Sequence, residues 1–135
     1  MSIAIPSPKA WTGHWLLAVA GLHTIAAGVM FSEPLTDIAR RGLFDSVNRD
    51  PTRGAAIWFL LFGGLLALLG IALTSIERRN DVPTLRLLGA GVLAVTVLGV
   101  VLMPASGFWL AFPPAIALLR RRGARKPHAI PEARG

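Results

Sequence analysis

The sequence predicts an all-α protein: a bundle of four transmembrane helices, both termini cytoplasmic, with a short amphipathic helix in the outer loop between the first two. Three observations lead there. Of 135 residues, 53% are hydrophobic and only 16% charged, with a mean hydropathy of +0.58, whereas a soluble domain carries about a quarter charged residues. Charge disappears altogether over three long stretches. Lys and Arg are also shared unequally among the loops that connect them.

A helix crossing the hydrocarbon core needs about 20 apolar residues at about 1.5 Å each. Ala10 to Ser32, 23 residues interrupted only by His14 and His23, fits one span, and so does the ion-free Gly54 to Ile76, also 23 residues. Leu87 to Leu119 has 33 residues without an ionisable group, and one straight helix of that length would reach roughly 50 Å. Pro104-Ala105-Ser106-Gly107 breaks it into a hairpin. The expected spans are therefore about 10–31, 54–76, 87–103 and 106–119, forming a single integral membrane domain over 1–119, with a basic, disordered cytoplasmic tail over 120–135. The last span is short and Pro113-Pro114 removes two of its backbone donors, so a re-entrant half-helix is the alternative there. Ala18-Val19-Ala20 comes too early in the first apolar run for a signal-peptide cleavage site, so that helix is expected to be retained.

Orientation follows from the basic residues of the short loops. With the N-terminus inside, Lys9, Arg78, Arg79, Arg86, Arg120, Arg121, Arg122, Arg125, Lys126 and Arg134 are cytoplasmic, ten in all. Only four, Arg40, Arg41, Arg49 and Arg53, are outside, matched by Glu33, Asp37, Asp45 and Asp50. Trp11 and Trp15 then fall at the inner interface and Trp58 and Trp109 towards the outer one, the belt expected of indole rings.

The outer loop, Ser32 to Arg53, has its own helix signals. Ser32 is a candidate N-cap with Pro34 in the first turn, Asp37 and Arg41 are an (i, i+4) pair, and Gly42 supplies a stop. Leu35, Ile38, Leu43, Phe44 and Val47 give an apolar side suited to the membrane surface, although a solvated, self-paired lid is the expected role, with a substrate gate or partner-docking surface as the alternative. Asn48-Arg49-Asp50-Pro51 turns the chain into span two. At the other end, Arg120, Arg121, Arg122, Arg125 and Lys126 abut the last span and are expected to contact anionic inner-leaflet lipids. The net charge of +7 does not point to nucleic acid, because no aromatic residues interleave this cluster. Close helix contacts are expected along Ala20, Thr24 and Gly28 in span one, Gly63, Gly64, Ala67 and Gly70 in span two, and Gly89, Gly91 and Gly99 in span three.

Few polar groups are placed to do chemistry. The chain has no Cys, which excludes thiolate metal sites, iron–sulfur clusters and a Cys nucleophile. His14 and His23, nine residues apart, lie about 180° apart around a helix and cannot share one metal, so no metal site is expected. His14 sits at the interface between two tryptophans. His23 lies near mid-span, where an ionisable group must face the bundle and find a partner. Thr96, the comparably deep polar residue of span three, is the candidate partner. His23, Thr96 and His14 are thus the ligand-binding or proton-handling candidates, and no catalytic residue is identified.

Several short motifs share an order with a known family: Gly13-His14-Trp15-Leu16, Gly21-Leu22-His23-Thr24 and Gly28, then Gly42-Leu43-Phe44, Ala56-Ile57-Trp58-Phe59 with Gly63, and Pro104 to Trp109. Over roughly residues 11–119 the chain resembles a family of small, uncharacterised bacterial membrane proteins, domain of unknown function 6463. That resemblance implies a four-span bacterial inner-membrane protein and brings no activity or site residues with it. The functional expectation is a multi-pass membrane protein with a non-catalytic or accessory role, partnered by the bilayer and without a cofactor, the small-residue seams leaving open whether one of them packs on a second copy of the chain. One alternative is an enzyme or binder for a lipophilic ligand such as haem or a quinone, using His23. It is similar in architecture to small haem-dependent epoxide isomerases, but this chain lacks their His at the start of span two. The other is a small multidrug-type exporter, a family that depends on a carboxylate in its first span, where this chain has only His14 and His23.

Overall fold

The structure, a computed structural model, describes residues 10–122. It is all-α: α1 (Trp11–Met30), α2 (Ser32–Arg41), α3 (Pro51–Arg79), α4 (Val82–Leu102), then a 3-10 turn over Gly107–Ala111 that runs directly into α5 (Phe112–Leu119). Of these, α1, α3 and α4 are long and apolar enough to cross a membrane, while the apolar segment Gly107–Leu119 is shorter.

Caps, not the edges of the charge-free stretches, decide where the helices begin and end. Asp50 accepts from the backbone N–H groups of Thr52 and Arg53, with Pro51 in the first position, where a missing N–H costs nothing. Asn80 stops α3 in the left-handed region at φ 54°. The helix that carries the expected span 54–76 therefore runs over Pro51–Arg79, and Glu77 belongs to it. Asp81 caps α4 through the Thr84 N–H with Pro83 in the first turn, so Arg86 lies inside α4 rather than before it. The expectation for Ser32 does not hold. It is the first residue of α2, after Phe31, and its side chain caps nothing; its carbonyl accepts from the Thr36 hydroxyl at 2.7 Å. The Gly42 stop, at φ 87°, is as expected.

α1 packs antiparallel along α3, and α4 packs along the 3-10 turn and α5. The α1–α3 seam repeats every seven residues. Gly13, Ala20 and Ala27 are buried on one helix and Ala56, Gly63, Gly70 and Glu77 on the other, a heptad of small residues that lets the backbones approach. A methyl group on Gly13 would lie 2.6 Å from the Gly70 carbonyl oxygen, and one on Gly70 would lie 2.9 Å from that of Gly13. The four-residue spacing expected for span one is thus corrected: Ala20 and Thr24 do meet Gly63, but Gly28 faces open space. In the second pair a methyl on Gly89 would lie 2.7 Å from Leu118 Cβ, and one on Gly99 would run into the Phe108 ring 2.5 Å away, whereas Gly91 is open. The two pairs meet around Leu16, Leu73, Leu85 and Leu118, one buried leucine from each of α1, α3, α4 and α5.

Candidate functional site

The buried charge of the described residues lies where the two helix pairs converge. Glu77, 1% exposed, continues the Gly63–Gly70 heptad of α3 and so points at the start of α1. Its Oε2 accepts from the Gly13 backbone N–H at 3.1 Å. α1 has no side-chain cap and no acidic residue in its first turn, so Glu77 supplies from a neighbouring helix the anion that an exposed helix N-terminus favours. Its other oxygen, Oε1, accepts from Arg121 Nη2 just beyond α5, and the Arg121 carbonyl accepts from Arg86 Nε of α4 at 2.9 Å. One carboxylate thereby connects the ends of α1, α3 and α5, with α4 joined through Arg86. Beside it the Thr12 hydroxyl, one residue before Gly13, is buried with no hydrogen-bond partner among the described residues. With one oxygen held by the Gly13 N–H and the other by Arg121, the Glu77 side chain is a clasp between helix ends. Sequence reasoning missed Glu77 because it falls one residue outside the charge-free stretch; the seven-residue spacing from Gly63 and Gly70 is the signal that finds it.

His23 and Thr96 are not brought together. They lie in different helix pairs, and each donates to a backbone carbonyl. His23 Nε2 reaches the Phe59 carbonyl at 3.0 Å, which assigns the proton to Nε2, and Thr96 Oγ1 reaches Val92 at 2.7 Å within α4. The imidazole stacks on the Phe59 ring at 4.0 Å and 14° and meets the Phe62 ring edge-on at 5.5 Å. It can approach α3 this closely because Gly63 has no side chain: a methyl there would lie 3.3 Å from His23 Cδ2. His14 is exposed, with Nδ1 2.5 Å from the Ala10 carbonyl. Among the described residues no three His, Cys, Asp or Glu side chains are grouped to hold a metal.

Of the basic cluster, Arg120 and Arg122 lie at the end of α5, Arg121 is taken up by Glu77, and Arg125 and Lys126 lie outside the described residues. At the opposite end, the Arg41–Asp37 pair forms as expected, at 2.9 Å, and Arg53 adds contacts to Asp37 at 3.1 Å and Asp50 at 3.3 Å. The hydrogen bond from Arg41 holds the Asp37 carboxyl below its usual pKa of 3.8. Open surface hollows beside it are lined by Ser32, Glu33, Thr36 and Arg40 on one side, and by Pro34, Asp50 and Thr52 on the other.

In comparison with known proteins, a model described as a family of unknown function, DUF6463, matches residues 7–125. No curated protein and no solved structure matches.

Proposed function

The chain belongs to the family of unknown function DUF6463, and on that premise we propose that it is a small multi-pass protein of the bacterial inner membrane with a non-catalytic, accessory role. The observation that carries this is the outward face of the helices. Only 22% of the most apolar window of α1, of α3 and of α4 is buried inside the protein, and the rest presents residues such as Leu22, Ile25, Leu65, Leu68, Val95 and Leu98. Such a surface is insoluble in water and ordinary in lipid.

The proposed topology has four crossings and both termini inside. The segment from Gly107 to Leu119 turns back along α4, with Phe108 against Gly99, Leu118 against Gly89 and the Arg121 carbonyl at Arg86, so it returns towards the end where α4 begins. Its five 3-10 and eight α-helical residues extend about 22 Å, short of the roughly 30 Å core, and the crossing is completed by Arg120 and Arg122 at the interface. With Arg78, Arg79 and Arg86 they make this the basic, cytoplasmic face and the contact for anionic lipids. Self-association through the exposed helix faces belongs to the same reading.

The absence of Cys makes the test direct. Single cysteines replacing Asp45 and Asp81 are treated with a membrane-impermeant maleimide. Asp45→Cys should react on intact cells and Asp81→Cys only after permeabilisation; equal reaction of both on intact cells overturns the topology. Native mass spectrometry of the purified protein reads copy number and any retained lipophilic ligand, and a stoichiometric haem or quinone would overturn the accessory role.

A further inference from the structure

We propose that Leu43 and Phe44, at the tip of the loop between α2 and α3, insert into the interface of the bilayer that the helices cross and hold α2 against the membrane surface. This rests on the reading of the chain as a membrane protein. Leu43 is 87% exposed and Phe44 99%, the two most exposed large apolar side chains described. They are held out by the backbone, since Gly42 at φ 87° and Asp45 at φ 51° bracket them with left-handed turns. The bundle has already taken its own share of the loop's apolar surface, because Ile38 of α2 is buried at 4% exposure.

Lipid is the occupant that the surroundings fit. Only Phe31 separates α1 from α2, so the loop leaves the bundle at the end of an apolar helix whose last residues, Val29 and Met30, are themselves exposed. Arg40 and Arg49 flank the tip and form no salt bridge among the described residues. An apolar pair flanked by two guanidinium groups that form no salt bridge among the described residues matches an acyl boundary lined by lipid phosphates. Asp45 is the opposing charge at the tip, one acid between the two arginines.

The test again uses the Cys-free chain. Phe44→Cys and, as a reference, Leu68→Cys of α3 (63% exposed) are labelled with a polarity-sensitive fluorophore and reconstituted into phosphatidylcholine–phosphatidylglycerol vesicles. The lipids are brominated either near the headgroup or near the bilayer centre. Neither substitution removes a buried side chain, so both variants should fold. The label at 44 is expected to be quenched by the shallow bromines and protected from aqueous iodide, and the label at 68 by the deep bromines. If 68 is quenched by deep bromines while 44 is quenched only by iodide, the anchor is overturned and the membrane reading stands. If neither position is quenched by any lipid, both fall.

Discussion

Glu77 caps the N-terminus of α1 from across the α1–α3 seam, its Oε2 3.1 Å from the Gly13 nitrogen. A helix normally finds its cap in its own preceding residue, but Ala10 has no side-chain oxygen to offer. The carboxylate comes instead from the heptad position of the antiparallel partner, where it also engages Arg121. Removing one member of a buried ion pair leaves the other uncompensated, which costs about 3–5 kcal/mol. Arg121 retains 12% side-chain exposure and can turn towards water, so Glu77→Ala is expected near the lower end of that range. Thermal unfolding in detergent micelles measures it. Glu77→Ala/Arg121→Ala should cost less than the sum of the single variants, and strict additivity would show that the two side chains do not act together.

The glycines of the helices divide into two classes with opposite expectations. Gly13→Ala forces a methyl into the Gly70 carbonyl and the Thr74 side chain, and both helices must separate along the seam; overpacking of this kind costs about 1–3 kcal/mol. Gly64 and Gly91 have nothing within 4 Å of a methyl position, so Ala there should be neutral or stabilising by up to about 1 kcal/mol through helix propensity. The same unfolding assay ranks all three variants. A Gly13→Ala variant as stable as Gly64→Ala would mean that the close approach of α1 and α3 is not needed.

Much of this architecture is legible in sequence, and the parts that are not share a cause. The absence of charge over Ala10–Ser32 and Gly54–Ile76 locates α1 and α3, because outward-facing and core-facing positions are both apolar. That uniformity conceals which face packs. Gly28, with four-residue spacing from Ala20 and Thr24, is as small as Gly13 yet faces away from the bundle, and only the matching seven-residue repeats of two helices separate them. Glu77 is hidden for a related reason. Between Ile76 and Arg78 it reads as the first solvated residue after a span, and its burial follows from helix phase rather than from residue type. The partner of His23 was unreadable because it is a main-chain carbonyl, which every residue carries.

That carbonyl bounds what His23 contributes. The ring is half-buried and stacked on Phe59, and one ring nitrogen donates to a helix backbone group. His23→Phe keeps the stack and loses one hydrogen bond to a carbonyl, which costs about 1 kcal/mol. Unfolding of His23→Phe and His23→Ala in micelles should show the larger loss in Ala, where the aromatic contact goes too. The reverse order would mean that the ring's nitrogens matter more than its packing.

Asp37 offers a titration outside the spans. Its hydrogen bond from Arg41, with Arg41, Arg53 and Arg40 nearby, lowers its pKa below 3.8. The folded loop therefore binds this proton less readily than the unfolded chain. The pairing contributes fully above that value and is lost as pH falls through the lowered folded-state pKa. Carboxyl NMR should give an Asp37 midpoint below 3.8 in the native protein, moving upward in Arg41→Ala. A midpoint unmoved by that substitution would assign the shift to another group.

Trp15 and Leu110 supply a prediction that turns on two prolines. Within a helix, the Leu110 carbonyl would accept from residue 113 or 114, but both are Pro and have no N–H. The Trp15 indole N–H reaches that oxygen instead, at 2.8 Å, and so ties α1 to the turn that opens α5. Taking this donor away from that carbonyl costs about 1–3 kcal/mol, which is the loss expected for Trp15→Phe. Pro114→Ala restores an N–H at the α-helical position, and although it disturbs a fully buried side chain, a double-mutant cycle removes that shared cost. In the Pro114→Ala background the loss on Trp15→Phe should shrink measurably, because the carbonyl now has a helical donor. An undiminished loss would mean that Trp15 acts through packing and that the two prolines are incidental to it.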